Sequence, residues 1–280
     1  MKYTDLESFL NAYIEIQKAC CKQSTIKNMR AAANLLVAFF GNKKDISEIT
    51  LIDGENFAQH LKSKGYAPAT ISRAIQRAIT FFKFAQKSKV LVDNPFSGIK
   101  LMKQTYPARM QFIDQATIQK VIDHCPSTQW KVIVCLARFG GLRVPGELVG
   151  LNWDSIHWDK NTLSVRSPKT EHIEGREFRE VPLFPEIKSL LHDALKDAPK
   201  NEKKIFPTVL TLTNLKRGLT RIIKNAGVPV WENLFHNLRA SRASELFKDY
   251  PLNVVISWLG IDLNQRIISK FNLNQKNGDK

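Results

Sequence analysis

Apolar residues in the first hundred positions recur at helical spacing, and capping or turn residues separate the runs. Thr4 with Glu7 has the pattern of a capping box ahead of a first helix. Ser24 is placed to cap a second helix that runs to Phe40, where Gly41 supplies a left-handed stop. This pattern predicts a helical N-terminal part.

Two more helices are predicted before residue 90. One runs from Asp53 to Lys64, and the next has Pro68 in its first turn, a position that suits proline. Arg73 and Arg77 follow one turn apart on the polar side of that last helix, where a solvated face is the simpler interpretation on spacing alone. Its opposite side is one apolar stripe, made of Ile71, Ile75, Ala78 and Phe82.

The pattern changes after residue 93. Asp93-Asn94-Pro95 ends the helical pattern, and residues 100–107 have little periodicity, so we predict a linker at 101–112 between domains at 1–100 and 113–280. A second helical block begins near Asp114. Apolar residues then alternate between Ser155 and Leu183, which favours a small antiparallel sheet with a loop at 168–175, and helical patterns return from Pro185. The predicted fold class is mainly α with a small antiparallel β-sheet.

Charge narrows the class of partner. The chain carries a formal net charge of +16, and excess lysine and arginine favours a polyanion such as nucleic acid. The four cysteines lack metal-binding spacing, so we expect free thiols in a reducing, cytoplasmic location and no metal site. The most apolar segment, 132–142, is too short to span a bilayer and contains Arg138, so no membrane association is expected.

The C-terminal half contains a candidate arginine–carboxylate pair. Two glycines at 140 and 141 precede Arg143, and Glu147 follows it four residues later. The double glycine ends a helix and permits close backbone approach, and a carboxylate neighbour would hold the planar fork of a buried arginine in one orientation. A surface ion pair is the alternative interpretation.

Two further motifs carry candidate chemistry. Lys169 lies in the predicted sheet loop, where a lysine near a phosphate could donate a proton to a leaving alkoxide. His236 and Arg239 are three residues apart, which places both side chains on one helix face. Histidine can move a proton while arginine stabilises developing charge, although each motif alone is common in structural roles.

Taken in order, these motifs resemble the catalytic domain of tyrosine recombinases. The order is arginine, loop lysine, His-x-x-Arg and then Trp258-Leu259-Gly260. The chain is similar to bacterial integrase-like proteins that read G-G-L-R-x-P-x-E, here at 140–147, and S-P-K-T-E-H-x-E-G, here at 167–175. The resemblance covers 111–260, and more weakly the N-terminal helices resemble the family's core-binding (SAM-like) domain.

The resemblance implies a chemistry that uses neither metal nor nucleotide cofactor. In the family a tyrosine attacks a DNA phosphodiester, which leaves a 3′-phosphotyrosine and a free 5′-hydroxyl. Carried over to this chain, Arg143 and Arg239 hold the phosphate, Lys169 protonates the leaving oxygen, His236 assists proton transfer and Glu147 orients the Arg143 region. The expected partners are double-stranded DNA and other copies of the chain, as a dimer to tetramer on DNA. The expected DNA contacts outside the active site are Arg73, Arg77, Lys100 and Lys103.

The chain departs from the family pattern after Gly260. Ile261 stands where the family has histidine, asparagine or tryptophan, and no tyrosine follows Tyr250. Phe271 is the nearest equivalent of the nucleophile, and Asn272 is the competing position. Three explanations stay open, namely an engineered exchange of tyrosine, a decayed or truncated natural copy, and a nucleophile supplied by a partner protomer. Cleavage by this chain alone is expected to be absent.

Three alternatives to a recombinase remain at this stage. A type IB topoisomerase shares the chemistry and differs in acting without two bound sites. A non-catalytic DNA-binding regulator derived from an integrase would keep the phosphate-binding residues without turnover, and the missing tyrosine favours it. A basic helical RNA-binding protein would leave the order of the four motif residues to chance.

Overall fold

The computed structural model describes residues 5–101, 110–168, 171, 174–208 and 210–261. The chain divides into two compact units, Met1–Thr105 and Tyr106–Lys280, here called the N-terminal and C-terminal units. The limits predicted from the sequence stay a prediction, because most of the proposed linker lies outside the described residues. Among the described residues, no helix is both long and apolar enough to cross a membrane.

Within the described residues, the N-terminal unit contains four α-helices, and three of its helix starts differ from the prediction. Asp5, and not Thr4, caps the first helix, since its carboxylate accepts the amide of Ser8 at 2.9 Å. Ser24 lies inside the second helix, whose N-cap, Lys22, makes no side-chain cap hydrogen bond. The helices are α1 (Leu6–Lys18), α2 (Gln23–Phe40), α3 (Leu51–Ser63) and α4 (Pro68–Lys87).

The core of the N-terminal unit is rich in phenylalanine. Phe57 packs edge-on against Phe96 with ring centroids 6.0 Å apart, and Phe82 lies 4.9 Å from the same ring. All four residues of the stripe predicted on α4 are buried. A capping box of Thr50 and Asp53 starts α3, so this helix begins two residues earlier than predicted.

In the part of the C-terminal unit that the structure describes, six α-helices combine with a small sheet, in agreement with the predicted fold class. Its helices are α5 (Gln115–Asp123), α6 (Thr128–Arg138), α7 (Pro185–Lys196), α8 (Leu212–Asn225), α9 (Leu234–Asp249) and α10 (Leu252–Leu259). The strands β1 (Ile156–His157), β2 (Thr162–Arg166) and β3 (Phe178–Pro182) form an antiparallel sheet in that order.

The register of the sheet decides which side chains face the core. Leu163 pairs with Val181, and Val165 pairs with Arg179, so all four project to the same face. That face is buried in the core of the C-terminal unit, which places an arginine among apolar side chains. Helix α6 packs against α7 and α9, and the turn with Gly140 and Gly141 follows its C-terminal end.

Candidate functional site

Three arginines and one carboxylate meet in the C-terminal unit; Arg143 is half-buried and the other three residues are buried. Arg143 and Glu147 lie in the turn after α6, Arg179 lies on β3, and Arg239 lies on α9. Glu147 is 2% exposed, Arg179 8% and Arg239 9%. Charged side chains are rarely buried unless they are paired, so the hydrogen bonds of this arginine cluster determine what it can bind.

Glu147 is the shared acceptor of the arginine cluster. Its Oε1 accepts from Nη1 of Arg143 at 2.7 Å and from Nη1 of Arg179 at 2.7 Å. Its Oε2 accepts from Nη2 of Arg179 at 2.8 Å and from the backbone amide of Arg143 at 2.6 Å. The pairing of Arg143 with Glu147 that the spacing suggested is present, and a second arginine shares the same carboxylate.

The C-terminal end of α10 faces the three arginines. Nε of Arg179 donates to the carbonyl of Trp258 at 2.7 Å, Arg239 donates to that of Leu259, and Arg143 donates to that of Gly260. The last carbonyls of a helix have no partner within the helix and carry partial negative charge. Helix α10 therefore supplies three consecutive acceptors that help to orient the cationic side chains.

Close packing at the glycine turn permits this arrangement. Gly141 has a φ of +62°, and a β-carbon there would lie 2.5 Å from Cδ2 of Leu259. Its carbonyl accepts a hydrogen bond from Nη1 of Arg239. The double glycine thus ends α6 and brings the backbone against α10, which is the role that its sequence position suggested.

The arginine cluster carries excess positive charge. Three guanidinium groups face one carboxylate, which leaves two uncompensated charges. Burial and the neighbouring charge of Arg143 lower the pKa of Arg239 to about 9. Burial alone would raise the pKa of Glu147, but hydrogen bonding and the charges of the three arginines hold it below its ordinary value. At neutral pH the carboxylate is ionised and the cluster favours an anion.

Two arginines of the cluster retain unused hydrogen-bond donors. A guanidinium group has five N–H donors. Within the described part of the chain, Arg143 uses two side-chain donors, on Glu147 and Gly260, and Arg239 uses two, on Gly141 and Leu259. Both can therefore donate further hydrogen bonds to an oxyanion, and paired arginine donors match the geometry of phosphate oxygens.

Of the other candidate residues from the sequence, the structure describes some and leaves the rest outside its described ranges. His236 lies exposed on α9, one turn before Arg239. Lys169, Phe271, Asn272 and Lys103 lie outside the described residues. The structure therefore brings Arg143, Glu147 and Arg239 together and places His236 on the same helix as Arg239.

Ile261 faces the apolar interior. It is 5% exposed and belongs to a small core with Ala243, Leu246, Val255 and Leu259. An isoleucine side chain has no hydrogen-bonding atom, and here it packs against apolar residues of α9 and α10. This position therefore supplies no polar contact to the arginine cluster.

The N-terminal unit has a polar groove beside its two candidate arginines. Arg73 is exposed and Arg77 half-buried, and both line a groove of about 400 Å³ with Asn28 and Gln76. Alanines of α2 and α4, including Ala74, also line the groove. Lys100 is exposed near the end of this unit. The groove with its two arginines is a second polar and cationic surface in the chain.

Sequence reasoning assigned no role to Arg179. The available signal was the alternation of β3, because Arg179 and Val181 occupy positions on the same face and Val181 is apolar. A charged residue at an inward position of a strand requires a buried partner.

Within the described residues, no group of three or more histidine, cysteine or acidic side chains could hold a metal ion.

Comparison with known proteins gives a consistent family match. The profile of the phage integrase family matches residues 111–262. The chain is 26% identical over 256 residues to a tyrosine recombinase XerC-like protein of Caldanaerobacter subterraneus subsp. tengcongensis, with 77% of this chain and 65% of that protein covered. It is 27% identical over 158 residues to the ICEBs1 integrase of Bacillus subtilis, with 54% of this chain and 42% of that protein covered. The chain thus spans less than two thirds of the length of these relatives.

The fold also matches solved structures. Lambda integrase residues 75–356, crystallised as a dimer bound to a COC′ core site, superimposes with a TM-score of 0.76 at 18% identity. The match covers 93% of this chain and 96% of the lambda integrase chain. At this identity the likeness concerns the fold.

Proposed function

Because the chain belongs to the phage integrase family, we propose that it binds double-stranded DNA and holds one backbone phosphate between Arg143 and Arg239. The observation that carries this proposal is the uncompensated charge of the arginine cluster, together with the unused donors of these two side chains. A phosphodiester would neutralise buried charge and accept those hydrogen bonds.

We assign the remaining roles from the family resemblance. Lys169 would protonate the leaving 5′-oxygen and His236 would assist proton transfer, while Glu147 holds Arg143 in place. The exposure of His236 on the same helix as Arg239 is compatible with a role at the DNA surface. In this mechanism a tyrosine oxygen attacks the phosphorus, the bond from phosphorus to the 5′-oxygen breaks, and that oxygen takes a proton.

The sequence lacks a tyrosine after Tyr250, and we propose that this chain binds DNA without cutting it. Phe271, the position assigned to the nucleophile, has no oxygen that could attack phosphorus, and Asn272 does not supply an equivalent one. The apolar packing of Ile261 removes a further polar group from the site. These features favour a DNA-binding regulator derived from an integrase as the second candidate function.

We propose two DNA-contacting surfaces outside the phosphate site. One is the groove beside Arg73 and Arg77. The other is the polar face of α8, where every charged residue is basic and exposed, namely Lys216, Arg217, Arg221 and Lys224. Lys100 and Lys103 are further candidate contacts, assigned from the sequence alone. Contacts by such residues to backbone phosphates would release counterions and make binding weaken with salt. The oligomer on DNA is proposed to be a dimer to tetramer.

A fluorescence anisotropy titration of a labelled duplex across salt concentrations tests the DNA-binding proposal. We expect log Kd to rise linearly with log salt, by about 0.9 for each phosphate contact. Arg143→Ala should weaken binding roughly tenfold, the size of one charge-assisted contact. Lys196→Ala is the matched control, because Lys196 is 77% exposed on α7 and lies outside the proposed surfaces.

The outcomes separate the candidate functions. Affinity that barely responds to salt, or equal losses from Arg143→Ala and Lys196→Ala, would contradict the proposed phosphate site. A covalent protein–DNA adduct formed by the unaltered chain would contradict the claim that it does not cut. Binding that prefers a single-stranded RNA of the same length would favour the RNA-binding alternative.

A further inference from the structure

Arg179 differs from the other two arginines because its donors are almost fully used inside the protein. Its side chain is 5% exposed, and it projects inward from β3. Its Nε donates to the carbonyl of Trp258, Nη1 to Glu147 and to Oγ of Ser167, and Nη2 to Glu147. Four of its five N–H groups therefore have partners within the chain.

The partners of Arg179 come from three separate elements. Glu147 lies in the turn that also carries Arg143, and Trp258 lies in the last turn of α10. Ser167 lies at the end of β2, two residues before Lys169 in the sequence. A β-carbon on Gly260 would lie 3.1 Å from Cδ of Arg179, so the α10 end packs directly on this side chain. Arg179 thus connects the elements that surround the phosphate site.

The hydrogen bonds of the three arginines divide them into one that orients its neighbours and two that can bind a ligand. Arg143 and Arg239 each keep donors for a ligand, whereas Arg179 has at most one left. The Arg179 side chain is 5% exposed, against 21% for that of Arg143. Without Arg179, Glu147 would keep only the bonds from Arg143, and its carboxylate could rotate. The guanidinium group of Arg143 would then no longer be held in one orientation.

We propose that Arg179 is a positioning residue for the phosphate site, a role that rests on the proposed function. It fixes the Glu147 carboxylate and the C-terminal turn of α10, and through them it aligns the free N–H groups of Arg143 and Arg239 on one DNA phosphate. Arg179 itself does not contact the DNA. The planar guanidinium group is essential to this role, because the compact ammonium group of a lysine cannot donate to all of these acceptors at once.

A double-mutant cycle tests this role by DNA affinity. We expect Arg143→Ala and Arg179→Ala each to weaken binding of a labelled duplex by roughly tenfold. Since Arg179 is proposed to act through Arg143, the double variant should bind within about threefold of the weaker single variant. Losses that multiply would show that Arg179 acts independently of Arg143, and they would overturn the proposal.

Two further variants distinguish positioning from charge and from general stability. Arg179→Lys keeps the charge, and we expect it to lose affinity as Arg179→Ala does; recovery of affinity with lysine would overturn the proposal. Arg138 is the matched control, because it is also a buried arginine paired with a carboxylate, Glu245, away from the cluster. Arg138→Ala should lower the melting temperature while DNA affinity of the folded protein stays within about twofold.

Comparison of variants with similar melting temperatures completes the test. If Arg138→Ala and Arg179→Lys lose DNA affinity in proportion to their loss of stability, Arg179 has a merely structural role and the proposal fails. If the unaltered chain does not bind duplex DNA at all, the proposed function itself is refuted. By contrast, if the unaltered chain binds duplex DNA and its Arg179 variants behave like the Arg138 control, only the positioning role of Arg179 is refuted.

Discussion

Gly141 and Leu259 are in direct contact across the C-terminal unit, with no room for a side chain between them. A β-carbon on Gly141 would lie 2.5 Å from Cδ2 of Leu259, well inside van der Waals contact. The carbonyl groups of the same two residues accept hydrogen bonds from Arg239. The contact therefore sets the spacing at which one arginine bridges the turn after α6 and the end of α10.

Gly141→Ala should destabilise the protein by about 2–4 kcal/mol. The methyl group would overlap Leu259, which costs about 1–3 kcal/mol in a packed core, and the φ of +62° adds about 1 kcal/mol for a residue with a β-carbon. Urea denaturation monitored by tryptophan fluorescence gives the free energy of unfolding.

Gly146→Ala is the control for that variant. A β-carbon at Gly146 meets no atom within 4 Å, and its φ is not positive, so we expect a change within about 0.5 kcal/mol. Equal effects of the two substitutions would show that the Gly141–Leu259 contact does not limit the spacing.

The sequence was sufficient for features that depend on local patterns. Helical periodicity predicted the apolar stripe of α4, alternation predicted the small sheet, and a spacing of four predicted the Arg143–Glu147 pair. Helix starts were less certain because neighbouring residues can compete for the same role. Asp5 took the capping position predicted for Thr4, since both are good N-cap residues.

Partners that are distant in sequence could not be predicted. Glu147 and Arg179 are 32 residues apart, and Arg138 and Glu245 are 107 apart. Such pairs depend on how strands and helices pack, which local spacing does not encode. The inward register of Arg179 was visible in the alternation of β3, but its partner was not.

Arg138→Met should lower the free energy of unfolding by about 3 kcal/mol. Arg138 is fully buried and forms paired hydrogen bonds with Glu245 at 2.8 and 2.5 Å, and its Nε donates to the carbonyl of Ile113. Without Arg138, the Glu245 carboxylate keeps only its longer contact with Arg242, at 3.4 Å, and the loss of its two short hydrogen bonds leaves its charge poorly compensated. Thermal and urea unfolding would measure the loss.

The double variant Arg138→Met with Glu245→Gln is the control for that loss. It removes both charges of the Arg138–Glu245 pair and should recover part of the lost stability, because no carboxylate is then left with only the 3.4 Å contact to Arg242. A double variant that is less stable than Arg138→Met would contradict this explanation.

The buried cysteines should be unreactive in the folded protein. Burial raises the pKa of Cys125 to about 11 and that of Cys135 to about 12, and the thiolate is the reactive form. Cys20 is exposed, so at pH 8 Ellman's reagent should label it rapidly, and Cys125 and Cys135 only after unfolding. Cys21 is half-buried and should react more slowly than Cys20, so Cys20→Ser should remove the rapid phase. A rapid phase that persists undiminished would contradict the assignment.

The same thiols predict a loss of stability at high pH. In the unfolded chain they ionise near their ordinary pKa of 9.0, whereas in the folded chain they remain protonated to about 11 and 12. Between these values the folded state binds more protons than the unfolded state, so stability falls as the pH rises above about 9. Urea unfolding of a Cys125→Ala, Cys135→Ala variant should show a weaker pH dependence in that range.

The last prediction concerns the nucleophile. If Phe271 occupies the tyrosine position, Phe271→Tyr supplies the missing attacking oxygen, while Arg143, Arg239 and Lys169 would provide charge stabilisation and the acid. We expect this variant to form a covalent adduct with a nicked duplex that carries a binding site selected from random DNA. A denaturing gel with labelled DNA detects the adduct, and nicking prevents religation by releasing the short leaving strand.

Asn272→Tyr is the control for the assignment of the position, because two adjacent side chains cannot place an oxygen at the same point on one phosphate. An adduct from Asn272→Tyr alone would move the nucleophile position by one residue. Ile261 has no polar atom to offer the proposed phosphate, so adduct formation by Phe271→Tyr should be slow. The absence of an adduct from every variant, with duplex binding intact, would favour a chain that only occupies DNA, because its phosphate site would then bind without the geometry for attack.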